Sequence, residues 1–412
     1  MPAPHLAVSH LIAGRLGRDG DDPIFALNQE AVARKARGEV VVNATLGALL
    51  DDAGVLAILP TAARAVHEVP AVEWATYAPI AGSGPFLAAV VEDVLGFDRA
   101  LASTAVAVAT PGGSGALRHA IASFLEPGQA LLTTSFFWSP YATIATENER
   151  GVSTFRMFAP SGAFDVEALD KALAATLARQ GRALLVLNDP CHNPTGYSMS
   201  PEDWAGVGKV VARHAASAPV AVILDAAYSA YGPAGNVRGP IEALRSVAAR
   251  ALVMVAWTAS KTFTHYGLRV GALVVVAPEA AERSEIRSAL TFACRGTWSN
   301  CNRGGMTAVH RLLTEPALKT AASAERANLL ALLGERVGAF NQAAKAKGLA
   351  YPRYDGGFFT TVFTADSAAP AKRMREEGVF VVPIEGALRL GLCAVARRDV
   401  PRLVDSIARA LR

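Results

Sequence analysis

Three polar side chains stand at or just past the ends of three apolar runs. Asp225 closes residues 220–224, Lys261 lies just past 251–256, and Asn193 sits in the turn after 183–188. Runs this short and apolar read as buried strands. Open α/β sheets place their ligand chemistry at strand ends. A lysine held in such a cleft can lose its proton and form a Schiff base with a carbonyl. Thr258, Ser260 and Thr262 surround it, and Arg269 follows eight positions on. Hydroxyls beside an arginine suit a phosphate.

A carbonyl and a phosphate on one ligand suggest pyridoxal 5'-phosphate. Asp225 would face the pyridine nitrogen and keep it protonated, so that the ring draws electrons from a substrate α-carbon. Tyr228 and Asn193 could hydrogen-bond the ring 3′ oxygen, and Trp138 could stack on the ring. Residues 105–109 read as a strand running into Thr110-Pro111-Gly112-Gly113-Ser114-Gly115, with a helix over 116–124. Glycines let the backbone approach an anion, and the free N–H groups of the first helical turn point at it. Each residue also has an ordinary reading: a strand-end lysine, a capping aspartate, a half-buried tyrosine, a plain Asn-Pro-Thr-Gly turn, a core tryptophan. Their order and shared placement at strand ends favour the cofactor.

The elements that must position them follow from the alternation. Strands are expected at 105–109, 130–134, 153–158, 183–188, 220–224, 251–256 and 270–276. Helices are expected at 165–180, 201–216 and 241–250 between them. This succession predicts an α/β fold with a mostly parallel sheet between helices. Residues 279–290 read as a helix, and 304–346 as nearly continuous helix broken at Glu315-Pro316. Strands at 356–364, 379–383 and 387–393 with helices at 369–377 and 400–411 form a smaller α+β unit, completed by the N-terminal segment. The expected division is an arm (1–21), a small domain from both chain ends (22–56 and 329–412), and a large cofactor-binding domain (57–328).

At 412 residues with 51% hydrophobic and 18% charged content, the chain is globular and exceeds one ordinary core. A net charge of +4 spread without a basic block argues against nucleic acid. No uncharged apolar run approaches the roughly 18–20 residues that span a bilayer. Cys191, Cys294, Cys301 and Cys393 show no metal spacing, and reduced thiols in a cytoplasmic enzyme are expected.

The assembled motifs resemble the fold-type I pyridoxal-phosphate-dependent aminotransferases, specifically the aspartate/aromatic group. The likeness rests on Asn193-Pro194-Thr195-Gly196, Asp225-x-Ala227-Tyr228, and Ser260-Lys261-x-Phe263 through Arg269-Val270-Gly271. It extends to Tyr77-x-Pro79-Ile80-x-Gly82, Gly113-Ser114-Gly115-Ala116-Leu117, Arg295-x-x-Trp298-Ser299-Asn300, Asp22-Pro23-Ile24 with Gly47, and Arg389. The resemblance implies that Lys261 is the Schiff-base lysine and carries the proton. It implies phosphate contacts from Gly113, Ser114, Thr258 and Arg269, with Tyr77 reaching over from a second subunit. Arg389 and Asn193 would hold the substrate α-carboxylate, and Gly47 would meet substrate as the site closes. Arg295, from the neighbouring subunit, would pair with the distal carboxylate of an acidic substrate. Aromatic-accepting relatives keep that arginine, so the implied substrates are dicarboxylic, aromatic or both, in a homodimer. Decarboxylation, elimination or oxidation on the same site is the alternative chemistry. The chain departs from the family pattern at some positions: Gly112 for Ser, Tyr141 for His, Trp298 for Tyr, and Cys301-Asn302-Arg303 for a Pro-rich continuation.

Overall fold

The computed structural model describes residues 10–18, 20, 23–233, 235 and 237–412, so Asp22 and much of the expected arm lie outside the described residues. Within the described part of the arm, Arg15 and Arg18 both ion-pair with Glu147 of the same chain. Helix α1 (Pro23–Ala36) and the short strand β1 (Val42–Asn43) come first. Helices α2 (Pro60–His67), α3 (Ala71–Ala75), α4 (Gly84–Leu95) and α5 (Arg99–Ser103) follow.

The alternation then begins: β2 (Ala105–Pro111), α6 (Gly112–Phe124), β3 (Ala130–Thr134), α7 (Pro140–Glu147), β4 (Gly151–Phe155), α8 (Val166–Gln180) and β5 (Ala183–Asn188). It continues with α9 (Pro201–Ala215), β6 (Val220–Asp225), α10 (Arg238–Arg245), β7 (Leu252–Thr258), the single turn α11 (Ala259–Thr262) and β8 (Val270–Val276). Local chemistry sets many boundaries. Asp165 caps α8, and Gly181 closes it in the left-handed conformation. Ser200 and Asp203 form a capping box that opens α9 with Pro201.

The seven strands order as β2-β8-β7-β6-β5-β3-β4, parallel except for β8, which runs against both neighbours. Strands β5, β6 and β8 are buried at every position, as strands covered on both faces must be. Alternate residues feed two cores. Leu185, Leu187, Val222 and Leu224 enter one, while Leu184, Val186, Ile223 and Met254 enter the other. Each fully buried Leu or Ile contributes about 1.5–3 kcal/mol.

Helices α12 (Ala280–Thr297), α13 (Arg303–Thr314) and α14 (Pro316–Ala346) lead out of this unit. The smaller unit adds β9 (Thr360–Phe363), α15 (Ala368–Glu376), β10 (Val379–Phe380), β11 (Val382–Ile384), β12 (Ala387–Leu390) and α16 (Val400–Ala410). Its antiparallel sheet orders β11-β12-β9, and β1 pairs in parallel with β10, Val42 opposite Val379. The N-terminal segment therefore enters the small unit, where Val42 and Ala44 share a core with Phe340, Val379 and Leu403. Helix α14 joins the units. Leu318 and Ala322 lie in the large core, Leu333 in the cluster between, and Val337 and Phe340 in the small core.

Several boundaries differ from the sequence expectation. Helix α6 starts at Gly112 rather than Ala116, so the glycine-rich stretch is itself the first helical turn. Strand β4 covers Gly151–Phe155, the length that β3 can pair, and Phe158 instead bridges Phe164. Helix α10 spans Arg238–Arg245 rather than 241–250. Helix α12 runs seven residues past 290, because Ile286, Leu290 and Cys294 continue a buried stripe at helical spacing. Strand β12 stops at Leu390, since the Gly391 amide turns to the Ala44 carbonyl at 2.7 Å. Among the described residues no helix is long and apolar enough to cross a membrane.

Candidate active site

Strands β5, β6 and β7 end side by side, with Asn188 opposite Asp225 and Asp225 opposite Ala256. Their carboxyl ends open into a cleft of about 220 Å³ that gathers Asn193, Asp225, Tyr228, Thr258, Lys261 and Arg269. Gly113, Ser114 and Trp138 also line it.

At one end lies the start of α6. Gly112 has φ of 71°, and a Cβ there would fall 2.3 Å from the Arg269 guanidinium. Only glycine lets the arginine lie against this turn. Arg269 donates to the Ser260 hydroxyl at 3.3 Å and to the Tyr266 carbonyl at 2.9 Å. Thr258 and Ser260 hydroxyls lie 3.0 Å apart. Two hydroxyls, a guanidinium and the N–H groups of a helix start form an anion cradle.

Lys261 stands on the cleft floor, on the turn that follows β7. Its ammonium donates to the Gly47 carbonyl at 2.9 Å and lies 4.5 Å from the centre of the Tyr266 ring. Burial pushes its pKa down to about 8; Arg269 and Arg389 push the same way, against Asp225. Two bonds hold the turn from behind: Tyr231 hydroxyl to the Lys261 carbonyl at 3.2 Å, and Arg326 to the Thr262 carbonyl at 3.2 Å.

Asp225 lies opposite the cradle. Its carboxylate accepts from the Tyr141 hydroxyl at 2.6 Å and the Ala227 amide at 3.3 Å. Both partners are neutral, and burial raises its pKa, opposed by these bonds and by Lys261. A cationic ring nitrogen at its free side would stabilise the charge. Tyr228 is buried beneath Phe358 and Phe359, ring centroids 5.2 and 5.9 Å away, and burial raises its phenol pKa. The Asn193 amide N–H is anchored on the Asn188 side chain at 2.7 Å.

The small unit reaches the lysine from outside this lining, through the Gly47 carbonyl. Arg389 sits on β12 between Thr361 and Val382, buried, its guanidinium 4.1 Å from the Phe359 ring centre. A Cβ on Gly47 would lie 3.0 Å from the same ring. Phe359 thus spaces the two expected substrate contacts, and no local pattern marked it. Tyr266 was visible only as part of the lysine motif. Tyr77 and Arg295 do not join this cleft. Tyr77 is 84% exposed, and Arg295, on the last turn of α12, is exposed and bonded to the Ser299 hydroxyl at 2.7 Å.

An anion cradle, an amine with a depressed pKa and a buried carboxylate in one cleft fit pyridoxal phosphate. Comparison with known proteins agrees. A family model described as aminotransferase class I and II matches residues 39–407. An aromatic-amino-acid aminotransferase from Paracoccus denitrificans is 28% identical over 406 residues, 96% of this chain and 98% of the relative. Another, from Pseudomonas aeruginosa, is 31% identical over 79% of this chain and 81% of its own. The crystal structure of an aminotransferase from Anaerococcus prevotii superposes with a TM-score of 0.92 at 29% identity, covering 98% of this chain and all of that one.

Proposed function

Because this chain belongs to the class I and II aminotransferases, which depend on pyridoxal phosphate, we propose that it moves an amino group between an aromatic or dicarboxylic L-amino acid and a 2-oxo acid in a ping-pong cycle. The observation that carries this reading is the convergence of Lys261, Asp225 and the α6 cradle on one cleft, with the Gly47 carbonyl on the lysine and Arg389 acting on its charge. The names of the relatives support the substrate class.

The cofactor, when bound, supplies an electron sink for the substrate α-carbon. Gly113, Ser114, Thr258 and Arg269 would hold its phosphate, with Tyr77 of a second copy. Asp225 would hold the proton on the ring nitrogen. Tyr228 and Asn193 would hydrogen-bond the ring oxygen, and Trp138 would cover the ring. The Lys261 amine, with its pKa near 8, can take and return the α-proton near neutral pH. Arg389 offers a planar fork to the α-carboxylate, supported from behind by Phe359.

We further place this chemistry in a homodimer, with Tyr77 and Arg295 serving the partner's cleft. Val55, Ile58, Val72, Trp74 and Tyr77 are each more than half exposed within a short stretch of chain, and an apolar surface of this kind favours a two-fold contact. Sedimentation should give a dimer; a fully active monomer in dilute solution contradicts it. The working division is a small domain of 22–56 and 329–412 around a large domain of 57–328. Four free cysteines support a reducing, cytoplasmic setting.

The deciding experiment offers aspartate, glutamate, phenylalanine and tyrosine as donors with 2-oxoglutarate as acceptor. Turnover of at least one donor is expected, and failure of all four would sink the substrate assignment. Arg295→Ala is expected to lose the acidic donors selectively, by roughly tenfold or more in kcat/KM. Equal loss for all donors would exclude that role for the arginine.

A further inference from the structure

A second buried carboxylate lies outside the active-site cleft. Asp189 follows β5 and is only 2% exposed. Its carboxylate accepts from the Met199 amide at 2.8 Å and from the Trp204 indole N–H at 3.0 Å. Both donors are neutral, and among the described residues no ion pair reaches it. Arg353 acts on it, but that guanidinium is engaged elsewhere: it pairs with Asp355 at 2.9 Å, lies 4.8 Å from the Tyr197 ring centre and bonds the Ser198 carbonyl. Burial pushes the Asp189 pKa up to about 7 and Asp203 adds to this, against the two bonds and Arg353. The same carboxylate lines a cavity of about 820 Å³ between α9 and α10. Pro190, Met199, Trp204, Pro240 and Ala243 supply apolar walls. Lys209 and Glu242 stand exposed at the rim, and Glu242 is paired with Arg238 at 2.7 Å. The cavity shares no lining residue with the active-site cleft.

We propose that this cavity is a second binding site, for a small organic cation with an aromatic or aliphatic body, its N–H groups directed at Asp189. Small-molecule sites are cavities of this size, mostly apolar, with few polar groups. A carboxylate offers about four acceptor positions, and two are filled here. A charged donor on a free position supplies the counter-charge that this buried aspartate lacks. The body of the ligand takes apolar wall out of water. An anion of the same shape meets only repulsion from Asp189. Lys209 sits in solvent, where its charge is screened. The site does not depend on the pyridoxal phosphate reading.

Benzamidine, an amidinium on a phenyl ring, is the probe. Benzoate and benzyl alcohol are its anionic and neutral counterparts. Binding to the holoenzyme is measured by calorimetric titration, with the melting temperature of each variant as a check on folding. Benzamidine is expected to bind saturably, at least roughly tenfold tighter than either counterpart, the step that a hydrogen bond to a charged group provides. Asp189→Asn should remove that advantage over benzyl alcohol. Ala205→Phe replaces an exposed residue of α9 that lines the cavity, so the ring fills the space and the Asp189 bonds stay in place. It should weaken benzamidine binding at least about tenfold with the melting temperature little changed, as for a surface substitution. Ala205→Phe therefore decides even where Asp189→Asn fails to fold. No saturable binding, equal affinity for benzoate, or full affinity in Ala205→Phe would overturn the inference.

Discussion

Lys261 shows how surroundings change the protonation of one side chain. The amine attacks a carbonyl only when neutral. With a pKa of about 8 instead of 10.5, about a tenth of it is neutral at pH 7, against about three in ten thousand. Loading of pyridoxal phosphate onto the cofactor-free protein should therefore accelerate as pH rises and level off above about 8, followed by absorbance after rapid mixing. A midpoint near 10.5 would show that burial does not tune the lysine. The meeting of Lys261, Asp225, Tyr228, Asn193 and the start of α6 in one cleft was legible in the sequence because each lies in a contiguous motif at a strand end. Phe359, Tyr231 and Arg326 were not legible. Each acts through one contact made across the fold, and nothing in its own neighbourhood marks that contact.

The same distinction holds for the elements. Helices α8 and α9 carry their start signals in their own sequence and were placed to within one residue. Helix α2 begins at Leu59-Pro60 with no side-chain cap of its own. Its cap comes from α14 instead. The Glu325 carboxylate accepts from the Thr61 amide at 3.0 Å and from the Thr61 hydroxyl at 2.6 Å. A carboxylate at a helix N-terminus satisfies free N–H groups and faces the positive end of the dipole. Glu325→Ala should lower stability by about 1–2 kcal/mol, seen as a lower urea midpoint at unchanged slope. An unmoved midpoint would mean that water caps α2 equally well. The strands behave differently again. The ends of β4, β9 and β12 depend on how much partner strand is available, and that is a tertiary quantity.

At the scale of the molecule, the 31-residue α14 is the member that both units share. Arg336, fully buried on it, donates to the Cys393 carbonyl at 2.7 Å, the Leu50 carbonyl at 2.8 Å and the Asp52 carboxylate at 2.7 Å. It thus ties the segment that follows Gly47 to the one that follows Arg389. Arg336→Leu should cost about 3 kcal/mol, at the low end for a broken buried pair because Asp52 keeps access to water. It should also raise the amino-acid KM while pyridoxal phosphate is retained. Loss of cofactor with KM unchanged would place the tie elsewhere. The pairing of Val42 with Val379 has a consequence for synthesis. At about 5–20 residues per second, β1 leaves the ribosome roughly twenty to seventy seconds before its partner β10. Through that interval the nascent chain can complete the sheet, the lysine turn and the start of α6. Gly47 can meet Lys261 early, but its neighbours Phe359 and Arg389 arrive only with the last strands, so this side of the lysine is assembled last.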